Sequence, residues 1–188
     1  MLTTYLLLVV ALSLLAISLA VFCVFMLYAL AIGIANGAPF VRTRRDRMRT
    51  MLALAEIKPG ETVVDMGSGD GTLLIEAARR GANAIGIELN PLLVWYSQWR
   101  IKKSGHDDRI RVIRKNFFFY PLGNADVVLL YLLTSTNDAL QKKLEEELKP
   151  GTRVISNTFP INGWIQTAHE NGVFRYDFSS RKSDTPNS

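Results

Sequence analysis

Thr62-Val63-Val64-Asp65-Met66-Gly67-Ser68-Gly69-Asp70-Gly71 is the stretch that decides the fold. A short apolar run at 62–66 has the length and β-branched content of a buried strand, and it runs into a glycine turn. Leu73-Leu74-Ile75-Glu76-Ala77-Ala78 follows with a helical pattern. Glycines at the alternate positions 67, 69 and 71 let the backbone bend tightly and let a ligand come close to it. Strand, glycine turn and helix in this order make a nucleotide cradle.

Spacing and charge narrow the nucleotide. A dinucleotide fingerprint is G-x-G-x-x-G, whereas position 72 is Thr and the glycines run G-x-G-x-G. Asp65 and Asp70 flank the loop, and two carboxylates beside a helix N-terminus repel the pyrophosphate that such a site otherwise favours. They suit a ligand with positive charge, such as the sulfonium and ammonium of S-adenosylmethionine. Glu88 ends the next apolar run, where a carboxylate accepts from both ribose hydroxyls. The combination resembles the class I S-adenosylmethionine-dependent methyltransferases. A dinucleotide enzyme and a glycine turn with chance acids are the competing readings.

Downstream, apolar runs and helical patterns alternate. Strands are expected at 62–66, 84–88, 111–114, 126–131 and 152–157, with helices at 71–80, 91–104 and 137–148 between them. Pro91 suits the first turn of its helix, and Lys149-Pro150-Gly151 closes the last one. A basic amphipathic helix is expected at 44–57, and a terminal hairpin pairs 164–168 with 173–178 about Asn171-Gly172. This order predicts an α/β fold, an open, mostly parallel sheet with helices on both faces, and the resemblance to the class I methyltransferases implies their Rossmann-like seven-strand sheet with its terminal hairpin. Ligands of such sheets bind outside the carboxyl ends of the strands, so site residues are expected in 65–71, 88–90, 115–120, 131–136 and 157–164.

Upstream, no charge occurs from Leu2 to Val41, and 5–34 is almost wholly apolar. About 20 such residues suffice to span a bilayer, so 1–38 is expected to be one transmembrane anchor, 39–180 the catalytic domain and 181–188 a flexible tail. A cleaved signal peptide competes, with Ala35-Asn36-Gly37-Ala38 as its processing site, but basic residues precede no part of the apolar run and the run is too long. Five arginines and one aspartate between 42 and 49 hold four of the chain's net +5 charges. As a juxtamembrane cluster they place the domain on the cytoplasmic side of a single-pass protein, the inner face of the cell membrane if it is prokaryotic. As a nucleic-acid patch they are weaker, because the other basic pairs are scattered. Cys23 is the sole cysteine, and His106 and His169 lack ligand spacing, so no metal is expected.

Several segments are similar to a narrower group, the membrane-anchored lysine methyltransferases of the ATP-synthase c-subunit and the adenine nucleotide translocator and their prokaryotic relatives. The similarity rests on Pro39-Phe40-Val41 with Thr43, the 65–71 loop, Glu88-Leu89-Asn90-Pro91, Tyr96-Ser97 with Trp99-Arg100, and Phe159-Pro160 with Trp164. It implies S-adenosyl-L-methionine held by Asp65, Gly67, Ser68, Gly69, Asp70, Gly71, Glu88, Leu89, Asn116 and Phe117. Asn116 stands where the group usually has an acid for the adenine amine, and Arg42 where it has a second proline. Phe118, Thr134, Ser135, Phe159 and Trp164 are the candidates for a substrate channel. Asp70 as a helix cap, Thr134 and Ser135 as caps, and Trp164 as core are the plain structural alternatives.

The similarity implies a protein partner with an accessible lysine, in or near the bilayer. A small-molecule or lipid methyltransferase and a non-catalytic cofactor-binding protein are the alternatives. No Asp/Asn-Pro-Pro-aromatic sequence follows the fourth strand, which disfavours amino groups of nucleic-acid bases, so no nucleic-acid partner is expected.

Overall fold

The computed structural model describes residues 2–35 and 41–179, with 29, 30 and 32–35 described by their backbone alone. Asn36, Gly37, Ala38, Pro39, Phe40 and the tail 181–188 lie outside the described residues. Helix α1, Leu2–Ala35, contains an apolar stretch, Leu2–Tyr28, long enough to cross a bilayer and exposed along its length. The rest forms one mixed seven-strand sheet.

Element order is α2 (Arg45–Leu54), β1 (Thr62–Met66), α3 (Thr72–Ala78), β2 (Asn83–Glu88), α4 (Pro91–Ser104), β3 (Ile110–Arg114), a 3-10 turn (Phe117–Phe119), β4 (Val127–Leu130), α5 (Thr134–Glu147), β5 (Arg153–Asn157), β6 (Ala168–Glu170) and β7 (Val173–Asp177). The strands lie in the order β3-β2-β1-β4-β5-β7-β6. The first five are parallel and β7 runs antiparallel to β5. The order reverses between β1 and β4, so a crevice opens at their carboxyl ends.

Alternation along each strand feeds two cores. Val63 and Leu129 pack under Met51 of α2, Leu74 of α3 and Ile101 of α4. Val64 and Leu130 face Leu140 and Leu144 of α5 and Phe117. Val127-Val128-Leu129-Leu130 is wholly buried because helices cover both faces, and each such side chain contributes about 1.5–3 kcal/mol of burial. Buried Arg153 ties α2 to β5: its guanidinium donates to the Ala55 and Glu56 carbonyls at 2.7 and 2.6 Å and pairs with Glu61 at 2.6 Å.

Four elements differ from the sequence expectation by more than one residue. Helix α2 stops at Leu54 rather than 57, because Glu56 turns the chain with φ +45°. Helix α3 is confined to Thr72–Ala78, since Gly71 enters it at φ +74°. Helix α5 begins at Thr134 rather than 137: Leu133 is extended and its carbonyl accepts from the Thr136 and Asn137 amides at 2.9 Å. The first hairpin strand is Ala168–Glu170, not 164–168, because Thr167 only begins the pairing with Arg175 and Trp164 lies in a turn before it.

Candidate active site

Glycine geometry builds the loop. Gly67, Gly69 and Gly71 have φ of +91°, +54° and +74°, a region side chains rarely enter. The Gly67 and Ser68 amides donate to the Ile87 carbonyl, which folds the loop over the end of β2. A Cβ on Gly71 would stand 3.1 Å from Ser97 Cβ of α4, so α4 packs directly against the loop. Ser68 contributes backbone rather than side chain: its buried Oγ has no hydrogen-bond partner and points at Gly86, within 2.5 Å of where a Cβ there would sit.

Two carboxylates organise the floor and rim. Asp65, at 4% exposure, lies on β1 just before the loop. Burial first, then Glu88 and Asp70, push its pKa up from 3.8 to about 7. A buried carboxyl crowded by two others fits a positively charged ligand group, whose charge would draw that pKa back down. Glu88 ends β2 and accepts from the backbone: Oε2 from Gly69 at 3.0 Å, and Oε1 from Leu89 and Asn90 at 2.8 Å. Those bonds set the shape of both 67–71 and 88–90 and leave one acceptor site of the same carboxylate, on Oε2, for a hydroxyl.

Asp70 serves the loop itself. Its Oδ1 accepts from the Thr72 amide at 3.1 Å and the Thr72 hydroxyl at 2.7 Å, an Asx turn at the start of α3. Its Oδ2 pairs with Arg100 at 2.7 Å and Arg42 at 3.4 Å. Of the two carboxylates expected to flank the loop, Asp70 is thus paired with two guanidiniums, whereas Asp65 and Glu88 make no ion pair among the described residues. Asn116 Oδ1 accepts from the Phe118 amide at 3.0 Å and caps the 3-10 turn, placing the buried Phe117 ring below the crevice.

The substrate-channel candidates separate. Phe118 is half-buried against Phe117, with ring centroids 4.9 Å apart. Thr134 is half-buried and Ser135 exposed at the start of α5, and neither caps it by its side chain. Phe159 follows β5 at the same end of the sheet, its carbonyl accepting from Ser156 Oγ and Asn137 Nδ2 at 2.5 and 3.1 Å. Trp164 belongs elsewhere. Its Nε1 donates to Glu145 at 3.1 Å and its ring packs on Tyr176 and Phe178. Tyr176 pairs with Val154 at the start of β5, so this tryptophan braces the end of the sheet opposite the loop.

Sequence reasoning placed Asn157 and Thr158 in an expected site segment but missed the polar cluster they form with Asn137, Ser156 and Arg47 past β4 and β5. Asn137, Ser156 and Asn157 are buried, and Thr158 has φ +69°. Arg47 of α2 donates to Thr158 Oγ1 and to Asn157 Oδ1, the latter at 3.4 Å. Asn137 Oδ1 and Asn157 Nδ2 are buried without a hydrogen-bond partner. Nothing in local pattern announces contacts spanning 19 to 111 residues. Arg100 was legible only as part of a family motif.

A family model described as the ANTKMT methyltransferase domain matches residues 65–168. A protein-lysine N-methyltransferase of Saccharolobus islandicus is 40% identical over 128 residues, covering 67% of this chain and 80% of that protein. The Xenopus laevis lysine N-methyltransferase of the ATP-synthase c-subunit is 34% identical over 127 residues, covering 68% of this chain and 56% of that one. The chain thus spans little more than half of that animal relative. Among solved structures, an RNA methyltransferase from Salinibacter ruber in complex with S-adenosyl-L-homocysteine is 34% identical with a TM-score of 0.72, covering 79% of this chain and 98% of that one. An S-adenosylmethionine-dependent methyltransferase from Geobacter sulfurreducens, 24% identical with a TM-score of 0.56 and covering 66% of this chain and 53% of that one, shares the fold. The fold and its glycine crevice are those of a class I methyltransferase. This chain belongs to the ANTKMT methyltransferase domain family.

Proposed function

We propose that this chain is an S-adenosylmethionine-dependent protein-lysine N-methyltransferase, anchored by α1 with its catalytic domain on the cytoplasmic side and acting on a membrane or membrane-proximal protein. The 40% identity to a protein-lysine N-methyltransferase carries the acceptor, and the buried Asp65 beside Glu88 supports the cofactor. The cofactor supplies an electrophilic methyl group on a sulfonium. Asp65 faces its cationic methionine end, Glu88 holds the ribose, Asn116 and Phe117 border the adenine, and the glycine backbone lets all three come close. Phe118 and Phe159 offer aromatic faces to an incoming ammonium, and Thr134 stands at the mouth. The attacking lysine needs its lone pair, so desolvation in this crevice favours its neutral form and the proton leaves to water. Alignment then does most of the catalytic work.

One observation favours a second acceptor: the 34% identical Salinibacter ruber structure is described as an RNA methyltransferase. Purified full-length enzyme, labelled donor and membranes with their RNA separate the readings. Acid-stable label on lysine of a membrane protein is expected, and at subsaturating donor it should fall about ten- to a hundredfold with Asp65→Asn. Label confined to RNA or to extractable lipid would replace the proposal with that acceptor.

A further inference from the structure

Large apolar side chains left in water gather at one end of the domain. Outside α1, Val41, Trp95, Tyr96, Trp99, Phe119 and Leu133 are exposed, Trp95 and Phe119 at 67% and 72%. Each lies on a segment joined to the cofactor end. Phe119 and Leu133 follow the carboxyl ends of β3 and β4. Trp95, Tyr96 and Trp99 descend from the start of α4, which leaves β2 beside Glu88. Val41 adjoins Arg42, which reaches Asp70 of the loop. Ile165, next to Trp164, stands apart.

The chemistry of this rim is that of a lipid headgroup region. Tyr96 and Trp99 stack at 5.9 Å, Arg100 lies over Tyr96 at 5.8 Å and Lys103 over Trp99 at 5.3 Å. Helix α4 carries Arg100, Lys102 and Lys103 and no acidic residue. Tryptophan and tyrosine with flanking lysine and arginine concentrate where a bilayer meets water, and basic side chains there favour anionic lipid. Chain length agrees: six peptide links separate Ala35 from Val41, a reach of at most about 22 Å. The end of a bilayer-spanning α1 is thereby held close to the cofactor end of the domain.

We infer that the domain makes a second contact with the bilayer, laying the Trp95–Trp99 face of α4 with Phe119 and Leu133 on an anionic headgroup surface, so that the crevice opens onto the membrane plane. This rests on reading α1 as a membrane span and sharpens the proposed function: the acceptor lysine sits at headgroup depth, not on a domain held far above the bilayer.

Tryptophan fluorescence tests this in the full chain, because α1 holds no tryptophan. The protein is placed in phosphatidylcholine–phosphatidylglycerol vesicles carrying a spin label at the headgroup, with insertion checked by flotation. Quenching of Trp95 and Trp99 is expected. The emission that remains in Trp95→Phe/Trp99→Phe, from Trp164, is expected to be unquenched. Lys102→Gln/Lys103→Gln should lower the docking equilibrium constant about fivefold per lysine in anionic vesicles. Inserted protein whose emission ignores the spin label overturns the inference. So does failure to float, or burial of these tryptophans that depends on protein concentration and not on lipid, which would mark a second copy as the occupant. If membrane-protein lysine methylation persists without quenching, only this inference fails. If quenching occurs while label enters only RNA or lipid, only the acceptor fails.

Discussion

Asp65, as the proposed partner of the cofactor's cationic end, should couple cofactor binding to pH. In the ligand-free protein its pKa stands near 7 against an ordinary 3.8, so the folded state holds a proton that the unfolded chain has lost between those values. Raising pH through that window therefore removes stability, and above about 7 the contribution is gone. A cation beside the carboxylate needs it ionised, so cofactor affinity should fall as pH drops below 7, by up to about tenfold per unit. Calorimetry from pH 5.5 to 8 reads this slope, together with proton release on binding below pH 7. Asp65→Asn should weaken binding about ten- to a hundredfold at pH 8 and flatten the slope. An unchanged slope in that variant would assign the titration to another group. Asp65 and Glu88 stand out in the sequence because both end apolar runs. The ion pair of Asp70 with Arg100 does not, since it spans 30 residues to α4, and the packing of Trp164 depends on which edge β7 takes.

Elements were legible where the chain punctuates itself. Strand β1 and helix α4 match their expected limits: Gly67 turns the first, and Asn90-Pro91 starts the second, which Gly105 ends at φ +73°. Asn90 Oδ1 accepts from the Leu92 amide at 3.0 Å, so Asn90→Ala should cost about 1 kcal/mol in urea unfolding. Helix α5 starts without a side-chain cap, so its polar Thr134-Ser135-Thr136 beginning carries no start signal in the sequence. Gly86 gives no signal beyond its type, yet it fixes how closely α3 and the loop approach β2. A Cβ there would lie 2.5 Å from Leu74 Cδ1 and from Ser68 Oγ. Gly86→Ala should destabilise by about 1–3 kcal/mol and weaken cofactor binding, because relief must come through Ser68 in the loop. Weakened stability with normal cofactor affinity would show that α3 alone yields.

At the scale of the whole molecule, one cysteine makes the topology testable. Cys23 is the sole cysteine of the chain and lies in the stretch Leu2–Tyr28 of α1. In sealed membranes a charged maleimide should leave Cys23 unmodified, since a span in hydrocarbon excludes both the reagent and the thiolate, and detergent should release it. Sidedness needs a site on the domain away from the rim. Asp108 serves: it follows α4 at the end of the sheet opposite the glycine loop, and its side chain is 73% exposed. In a Cys23→Ser background, Asp108→Cys should label in inside-out vesicles and stay protected in right-side-out ones if the arginines at 42–49 act as a positive-inside signal, as the proposed topology requires. The reverse labelling would invert the topology and put the crevice beyond the reach of cytoplasmic S-adenosylmethionine. Equal labelling of Cys23 with and without detergent would remove the span itself, and with it any lipid-plane acceptor.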